Sequence, residues 1–439
     1  MMSIMKPTRN LLFALCPMLV LGFLYYSSGK LHLHVWGQKP HKDKEATLSP
    51  AGNAYAEPEA ETVVSVGHVV GSAKQGSPGM SMAITKQRPP SVSRDRPEPL
   101  TLLRNPDPAI QKKVFDKQGF LMKLDGKLPP ELEYKYGNLS EGACKPGYVA
   151  AKMTAIYPKF VKPASMFLDQ NFKRLKNVNN YLPPFGFKTQ ENIIEVILSA
   201  TKDYGLSPEL NSLPCRRCVI VGNGGILSNK SLGSRIDEYD IIVRLNEAPV
   251  SGFDKDVGSK TTMRITYPEG AIQNPSRYEK DSLFVFSAFK PQDFRWLRQM
   301  IFKDNQRGVD GFWKSVAQQV PREPSEMRIL NPFFIQEASF RFIGLPHNNG
   351  LMGKGNIPTL GAVAITMALH NCDEVAVAGF GYDMSTPHAP LHYYEKVKMS
   401  AIKESWTHNI SKEKEFLRKL VKAGVITDLT NGILAPPGV

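Results

Sequence analysis

The chain of 439 residues has few cysteines, five in all, and they do not form two C-x2-C pairs. That excludes a ribbon-type zinc module and a disulfide-scaffold miniprotein. It has no H-E-x-x-H segment and no His/Asp/Glu cluster at ligand spacing, so no divalent metal is expected. No internal repeat of about 20–50 residues is visible, which argues against a solenoid. Charged residues are 22% and hydrophobic residues 42%, an ordinary globular balance rather than a collagen-like or disordered one. Acidic side chains fall short of basic ones, 41 against 55, leaving a formal +14. Nucleic acid, an anionic membrane and an anionic small substrate all fit that excess.

The N-terminus separates these partners. Leu11 to Tyr26 (LLFALCPMLVLGFLYY) is an apolar run, extended by Ser27, Ser28 and Gly29 and preceded by Lys6 and Arg9. It reads as a transmembrane signal anchor over residues 11–29. A cleaved signal peptide is the competing reading, but no A-x-A-like site follows, and Tyr25 and Tyr26 suit a membrane interface. Lys6 and Arg9 place residues 1–10 in the cytosol and everything beyond Lys30 in the lumen, a single-pass type II arrangement. A short span suits the thinner membranes of the secretory pathway, and nucleic acid is set aside as a partner. Residues 30–114, with PEAE, GSPGMSM and RPPSVSRDRPEP, lose hydrophobic periodicity and read as a flexible luminal stem. Residues 115–439 regain periodicity and are the expected folded luminal domain. Three N-x-S/T sequons, at Asn138, Asn229 and Asn409, are glycosylation candidates there.

Short apolar runs alternate with helical patterns through that domain. Strands are expected at Val219–Val221, Asp240–Arg244, Met263–Thr266, Leu283–Phe286 and Val375–Ala378. Helices are expected at Phe294–Phe302, Gly361–His370 and Lys412–Ala423, the last capped by Ser411 and Gly424. Continuously apolar strands between helices predict an α/β fold: a Rossmann-like, doubly wound, mostly parallel sheet with its ligand beyond the carboxyl ends of the strands. Gly222-Asn223-Gly224-Gly225 directly follows a strand, where glycine lets backbone N–H groups approach a phosphate or ribose. It lacks the full G-x-G-x-x-G spacing, so a plain tight turn is an equal reading. Pro358-Thr359-Leu360-Gly361 opens a helix whose N-terminal N–H groups suit a second anion contact, with an ordinary helix start an equal reading.

Longer stretches carry a family resemblance. Cys215 to Gly270 (CRRCVIVGNGGILSNKSLGSRIDEYDIIVRLNEAPVSGFDKDVGSKTTMRITYPEG) resembles the long motif of eukaryotic sialyltransferases. Asn356 to Asp383 (NIPTLGAVAITMALHNCDEVAVAGFGYD) resembles their short motif, His392-Tyr393-Tyr394-Glu395 the third, and His408 with Glu413 the very short H-x4-E motif. All four stand in the family's order. The segments FLYYS, NNGLMGKGNIPTLG, GYDMSTPHAPLHYYE and KESWTHNI resemble the members that form α-2,3 linkages on Galβ1-3(4)GlcNAc. The stem around Lys39 to Arg104 and the tail Leu434 to Val439 depart from them.

The resemblance implies a Golgi membrane glycosyltransferase with a glycosyltransferase-A-like variant of the Rossmann-like sheet. It would move sialic acid from CMP-N-acetylneuraminate to the 3-hydroxyl of terminal β-galactose on glycoproteins, and by extension glycolipids, inverting the anomeric centre without metal or other cofactor. The donor's phosphodiester and carboxylate suit a basic protein with helix-terminus anion sites. A galactose hydroxyl is a poor nucleophile, so a general base is the indispensable group, and imidazole fits a mildly acidic lumen. Of nine histidines, His32, His34, His41 and His68 fall in the anchor flank or stem, and His370 sits on an apolar helix as a structural residue. His347, His388, His392 and His408 remain. Motif position implies His408 as the base and His392 as the partner of the departing CMP phosphate. It also implies Asn223 and Asn246 on the nucleotide, Gly225, Thr359 and Gly361 along its phosphate and ribose, and Gly379 and Gly381 beside cytosine. Glu413, five residues from His408, cannot share its helix turn and is given a supporting role. A catalytically silent sialoside- or nucleotide-binding protein is the rival class, and the retained histidines argue against it.

Cys16 lies in the span, leaving Cys144, Cys215, Cys218 and Cys372 in an oxidising compartment, where four cysteines pair in three ways. A redox Cys215-x2-Cys218 pair is disfavoured because it precedes a strand rather than opening a helix. The family pattern implies Cys218–Cys372 and Cys144–Cys215.

Overall fold

The computed structural model describes residues 113–435 apart from 162–163, 305–309, 348–352, 354 and 405–406. The expected cytosolic tail, the anchor and nearly all of the stem therefore lie outside the described residues. Among the described residues no helix is long and apolar enough to cross a membrane.

Seven strands form one sheet: β1 (Arg217–Val221), β2 (Ile241–Leu245), β3 (Met263–Thr266), β4 (Leu283–Phe286), β5 (Met327–Ile329), β6 (Glu374–Ala378) and β7 (Thr427–Asp428). Their order is β5-β4-β3-β2-β1-β6-β7, and every pairing is parallel. The sheet is the expected doubly wound one. The chain lays strands outward from β1 to β5, then returns to place β6 on the other side of β1. That reversal makes a topological switch point between β1 and β6, where an open α/β sheet leaves a crevice. Val221 pairs with both Arg244 and Ala378, so β1, β2 and β6 end at one level around it.

The strands are apolar on both faces because both faces are covered. Cys218 and Ile220 of β1 point into one core cluster, Val219 and Val221 into another. Five longer helices are α1 (Tyr148–Ile156), α2 (Glu191–Thr201), α3 (Pro291–Phe302), α4 (Leu360–Asn371) and α5 (Ile410–Lys422). In α4, LGAVAITMALH is buried on every side, as an all-round apolar helix must be. α5 is amphipathic and turns Phe416, Leu417 and Leu420 inward.

Some boundaries differ from expectation. α5 starts at Ile410, because the Asn409 side chain, not Ser411, accepts a cap bond from the Lys412 N–H. β5 and β7, of three and two residues, are too short to show periodicity. Asn138 and Asn229 are exposed, whereas Asn409 is occupied as this cap. His370 is buried against Phe160, Phe333 and Phe334, the packed position expected of it.

The disulfides Cys144–Cys215 and Cys218–Cys372 are both formed. The second joins β1 to the C-cap of α4 across 154 residues, a closure worth about 5 kcal/mol in the chain-entropy account.

Candidate active site

A cavity of about 580 Å³ opens at the carboxyl ends of the strands. Its wall takes Gly222 and Asn223 from the end of β1, Asn246 and Glu247 from β2, Gly379 and Gly381 from β6, and Thr359 and Gly361 from the start of α4. His392, His408 and Glu413 also line it. One cavity thus gathers every site residue expected from sequence except Gly225. Its glycine serves the chain itself: a Cβ at Gly225 would lie 2.4 Å from the Pro390 carbonyl oxygen, so the side chain is missing to let backbone pass backbone. The neighbouring turn is built the same way, since a Cβ at Gly224 would stand 2.5 Å from the Gly379 oxygen. Glycine here brings β1 and β6 close enough to shape one crevice.

His392 is fastened to that turn. The Gly225 N–H donates to the Leu391 oxygen at 3.0 Å and the Tyr393 N–H to the Asn223 oxygen at 3.0 Å. The imidazole stacks on Tyr394, with centroids 5.4 Å apart and planes at 13°, and its Nδ1 bonds the Glu395 carboxylate. A carboxylate accepts, so Nδ1 carries a hydrogen and Nε2 is the ring atom left to a ligand. Asn223 donates through Nδ2 to the Tyr394 hydroxyl at 3.4 Å. Its Oδ1 is buried with no partner among the described residues, an orphan acceptor of the kind a ligand donor satisfies.

His408 is held differently. Its Nδ1–H donates to the Ile357 carbonyl at 2.9 Å, which leaves the lone pair of the neutral ring on Nε2. Burial pushes its pKa below the ordinary 6.5, against the opposing effect of the Ile357 bond. Glu413 sits on α5 while His408 precedes that helix, so the helix-turn argument that separated them does not apply. The Glu413 carboxylate accepts from the Thr359 N–H at 2.8 Å and from its hydroxyl at 2.5 Å. Burial still raises its pKa from 4.5 to about 7, although both Thr359 bonds work against that. Thr359 in turn caps α4 by accepting the Ala362 N–H. Glu413 thereby ties the helix that follows His408 to the N-terminus of α4.

Asn246 adopts a left-handed backbone, φ 53°, which asparagine tolerates better than most side chains. Arg264, buried in β3 and ion-paired with Glu279, holds that turn by donating to the Asn246 oxygen at 2.8 Å and the Ala248 oxygen at 3.0 Å. Sequence reading gave no role to Arg264, nor to Glu395 beyond its place in the third motif. An arginine inside the apolar strand MRIT was the available signal, since a buried charge needs fixed partners.

The chain carries one Asp-x-Asp triplet, Asp254-Lys255-Asp256. Asp256 accepts from the Asn229 and Ser231 N–H groups at 2.8 Å each, and neither aspartate lines the cavity. Among the described residues no group of three or more His, Cys, Asp or Glu is placed to hold a metal ion.

Comparison with known proteins agrees with this geometry. The model of glycosyltransferase family 29 (sialyltransferase) matches residues 167–425. The Homo sapiens CMP-N-acetylneuraminate-beta-1,4-galactoside alpha-2,3-sialyltransferase is 58% identical over 432 residues, covering 98% of this chain and 100% of the relative. The Homo sapiens lactosylceramide alpha-2,3-sialyltransferase is 38% identical over 295 residues, 66% of this chain and 71% of the relative. A solved mammalian sialyltransferase superposes with a TM-score of 0.50 at 23% identity over 66% of this chain and 98% of its own, a likeness of fold. Four ordered motifs, the parallel sheet and these matches lead to one conclusion: the chain belongs to glycosyltransferase family 29, the sialyltransferases.

Proposed function

We propose that the protein transfers the sialyl group of CMP-N-acetylneuraminate to the 3-hydroxyl of a terminal β-galactose in Galβ1-3/4GlcNAc glycans, with inversion and without metal. The observation that carries this is the pair of unlike histidines in one cavity at the switch point. His408 is buried on a backbone carbonyl with its pKa lowered, so in a mildly acidic lumen the ring stays neutral and Nε2 is basic. In this reading Nε2 takes the proton of the galactose 3-hydroxyl as its oxygen attacks the anomeric carbon. The bond from that carbon to the CMP phosphate oxygen breaks, and the electron pair leaves with CMP. When doubly protonated, His392 keeps its Nδ1–H on the Glu395 carboxylate and presents Nε2–H to the phosphate, where charge develops. Asn223 and Asn246 hold the nucleotide, Thr359 and Gly361 its phosphate side, and Gly379 and Gly381 its base.

The α-2,3 linkage and the β-galactoside acceptor follow the 58%-identical relative named above, and a lactosylceramide enzyme among the relatives extends the acceptor class to glycolipids. Lys6, Arg9 and the apolar residues 11–29 support a type II anchor in the Golgi membrane, with the stem at 30–114 and the catalytic unit in the lumen. The test is incubation of the detergent-solubilised chain with CMP-sialic acid and a panel of β-galactosides, reading the linkage in the product. Exclusive 2,6-linked product, or release of CMP with no transfer to any acceptor, refutes this reading.

A further inference from the structure

The cavity has a second wall, formed by residues outside the four motif cores' assigned roles. Trp313 lines it with 71% of its surface exposed, whereas Trp296 is buried at 1%. Beside it Lys314 pairs with Glu247 at 3.1 Å and sets its ammonium 5.5 Å from the Trp313 ring centroid. Tyr267 and Phe289 pack edge to face at 4.9 Å, and Lys290 is held between Glu269 and Asp293 at 2.7 Å each. Glu247 directly follows Asn246, so this wall adjoins the proposed nucleotide wall.

Charge decides what this wall suits. Its two ammonium groups are already matched by three carboxylates, so it has no cationic excess for a phosphodiester or a second carboxylate. An exposed indole flanked by paired, hydrogen-bonding charges fits a neutral polyol that has one apolar C–H face. We propose that this wall is the acceptor's outer subsite, and that Trp313 stacks the sugar on the aglycone side of the galactose and so sets preference for longer acceptors. The inference rests on the sialyl-transfer reading above and adds the residue that selects the acceptor. Covering one face of the indole removes on the order of 50–60 Å² of apolar surface from water, which corresponds to about a tenfold effect on binding.

The experiment compares wild type, Trp313→Ala and Trp313→Phe as full-length, detergent-solubilised protein, with methyl β-galactoside and N-acetyllactosamine as acceptors. Expected for Trp313→Ala is about a tenfold fall in the ratio of kcat/KM for disaccharide over monosaccharide, carried by the disaccharide KM. The donor KM should move less than twofold, and Trp313→Phe should recover most of the preference. An unchanged ratio, or a rise in donor KM in place of acceptor KM, overturns the inference while leaving the function intact. A wild-type protein that sialylates neither acceptor overturns the function itself, and the inference with it.

Discussion

Glu413 offers a stability prediction whose size comes from its burial. Glu413 is 5% exposed, and folding moves its pKa from an ordinary 4.5 to about 7. Unfolded chains therefore release this proton from about pH 4.5 upward, while the native state keeps it until about pH 7. Between those values the native state binds more protons than the unfolded one, so rising pH erodes stability. The contribution is fully present below pH 4.5 and lost as pH passes 7, for a total of about 3 kcal/mol. Glu413→Gln cannot titrate, and its amide oxygen can still accept from the Thr359 N–H. Urea unfolding with disulfides intact, followed by tryptophan fluorescence at pH 5 and pH 8, measures the effect as a double difference that cancels every other titrating group. Wild type should lose about 2–3 kcal/mol more than the variant across that interval. Parallel losses in the two proteins would show that Glu413 ionises normally and that its bonds to Thr359 outweigh its burial.

The same structure predicts kinetic and covalent effects. His408→Ala should lower kcat about 10²–10⁴-fold with CMP affinity nearly intact; because the His408 pKa is lowered, the wild-type kcat should fall only below pH 6.5 as the ring protonates, and the variant should lack that limb. His392→Ala should weaken donor binding and turnover together, with Glu395→Gln following it in milder form, and normal donor KM in both would remove His392 from the phosphate. Cys218→Ser and Cys372→Ser should each cost as much secretion and activity as the double change, since either one deletes the whole link; additive losses would refute a shared constraint. EDTA should leave the transfer rate unchanged, and loss restored by manganese would overturn the metal-free reading.

Much of this was legible in the sequence, and what was not has a physical reason. Strands such as VIV and DIIVR announce themselves because burial on both faces leaves an unbroken apolar run. The site residues come from distant segments, and only the family motifs made one set of Asn223, Asn246, Thr359, His392 and His408. Gly225 lies outside the cavity lining, and a glycine that spares a ligand and a glycine that spares Pro390 look identical in sequence. The partner of Glu413 was hidden for a different reason. Its partner Thr359 is 54 residues away in the chain, a separation that local spacing and helix geometry do not report. Trp313 left no signal, since a lone tryptophan is as often core as surface until its exposure is known.

The two histidines belong to two separately fastened pieces of the molecule, and the Cys218–Cys372 disulfide joins those pieces. His392 is tied through Leu391 and Tyr393 to the turn that ends β1. His408 is tied to Ile357 and, through Glu413 and Thr359, to the first turn of α4. Twelve residues of α4 then run about 18 Å away from the cavity to Cys372, which is bonded to Cys218 within β1 itself. The link closes a frame: the turn after β1 fastens one histidine through its neighbours, and the first turn of α4 fastens the other. Sliding α4 along β1 by one residue would shift the two imidazoles by about 1.5 Å relative to each other. Displacements of that size cost catalysis orders of magnitude, so a bond at the other end of α4 helps fix the distance between His408 and His392.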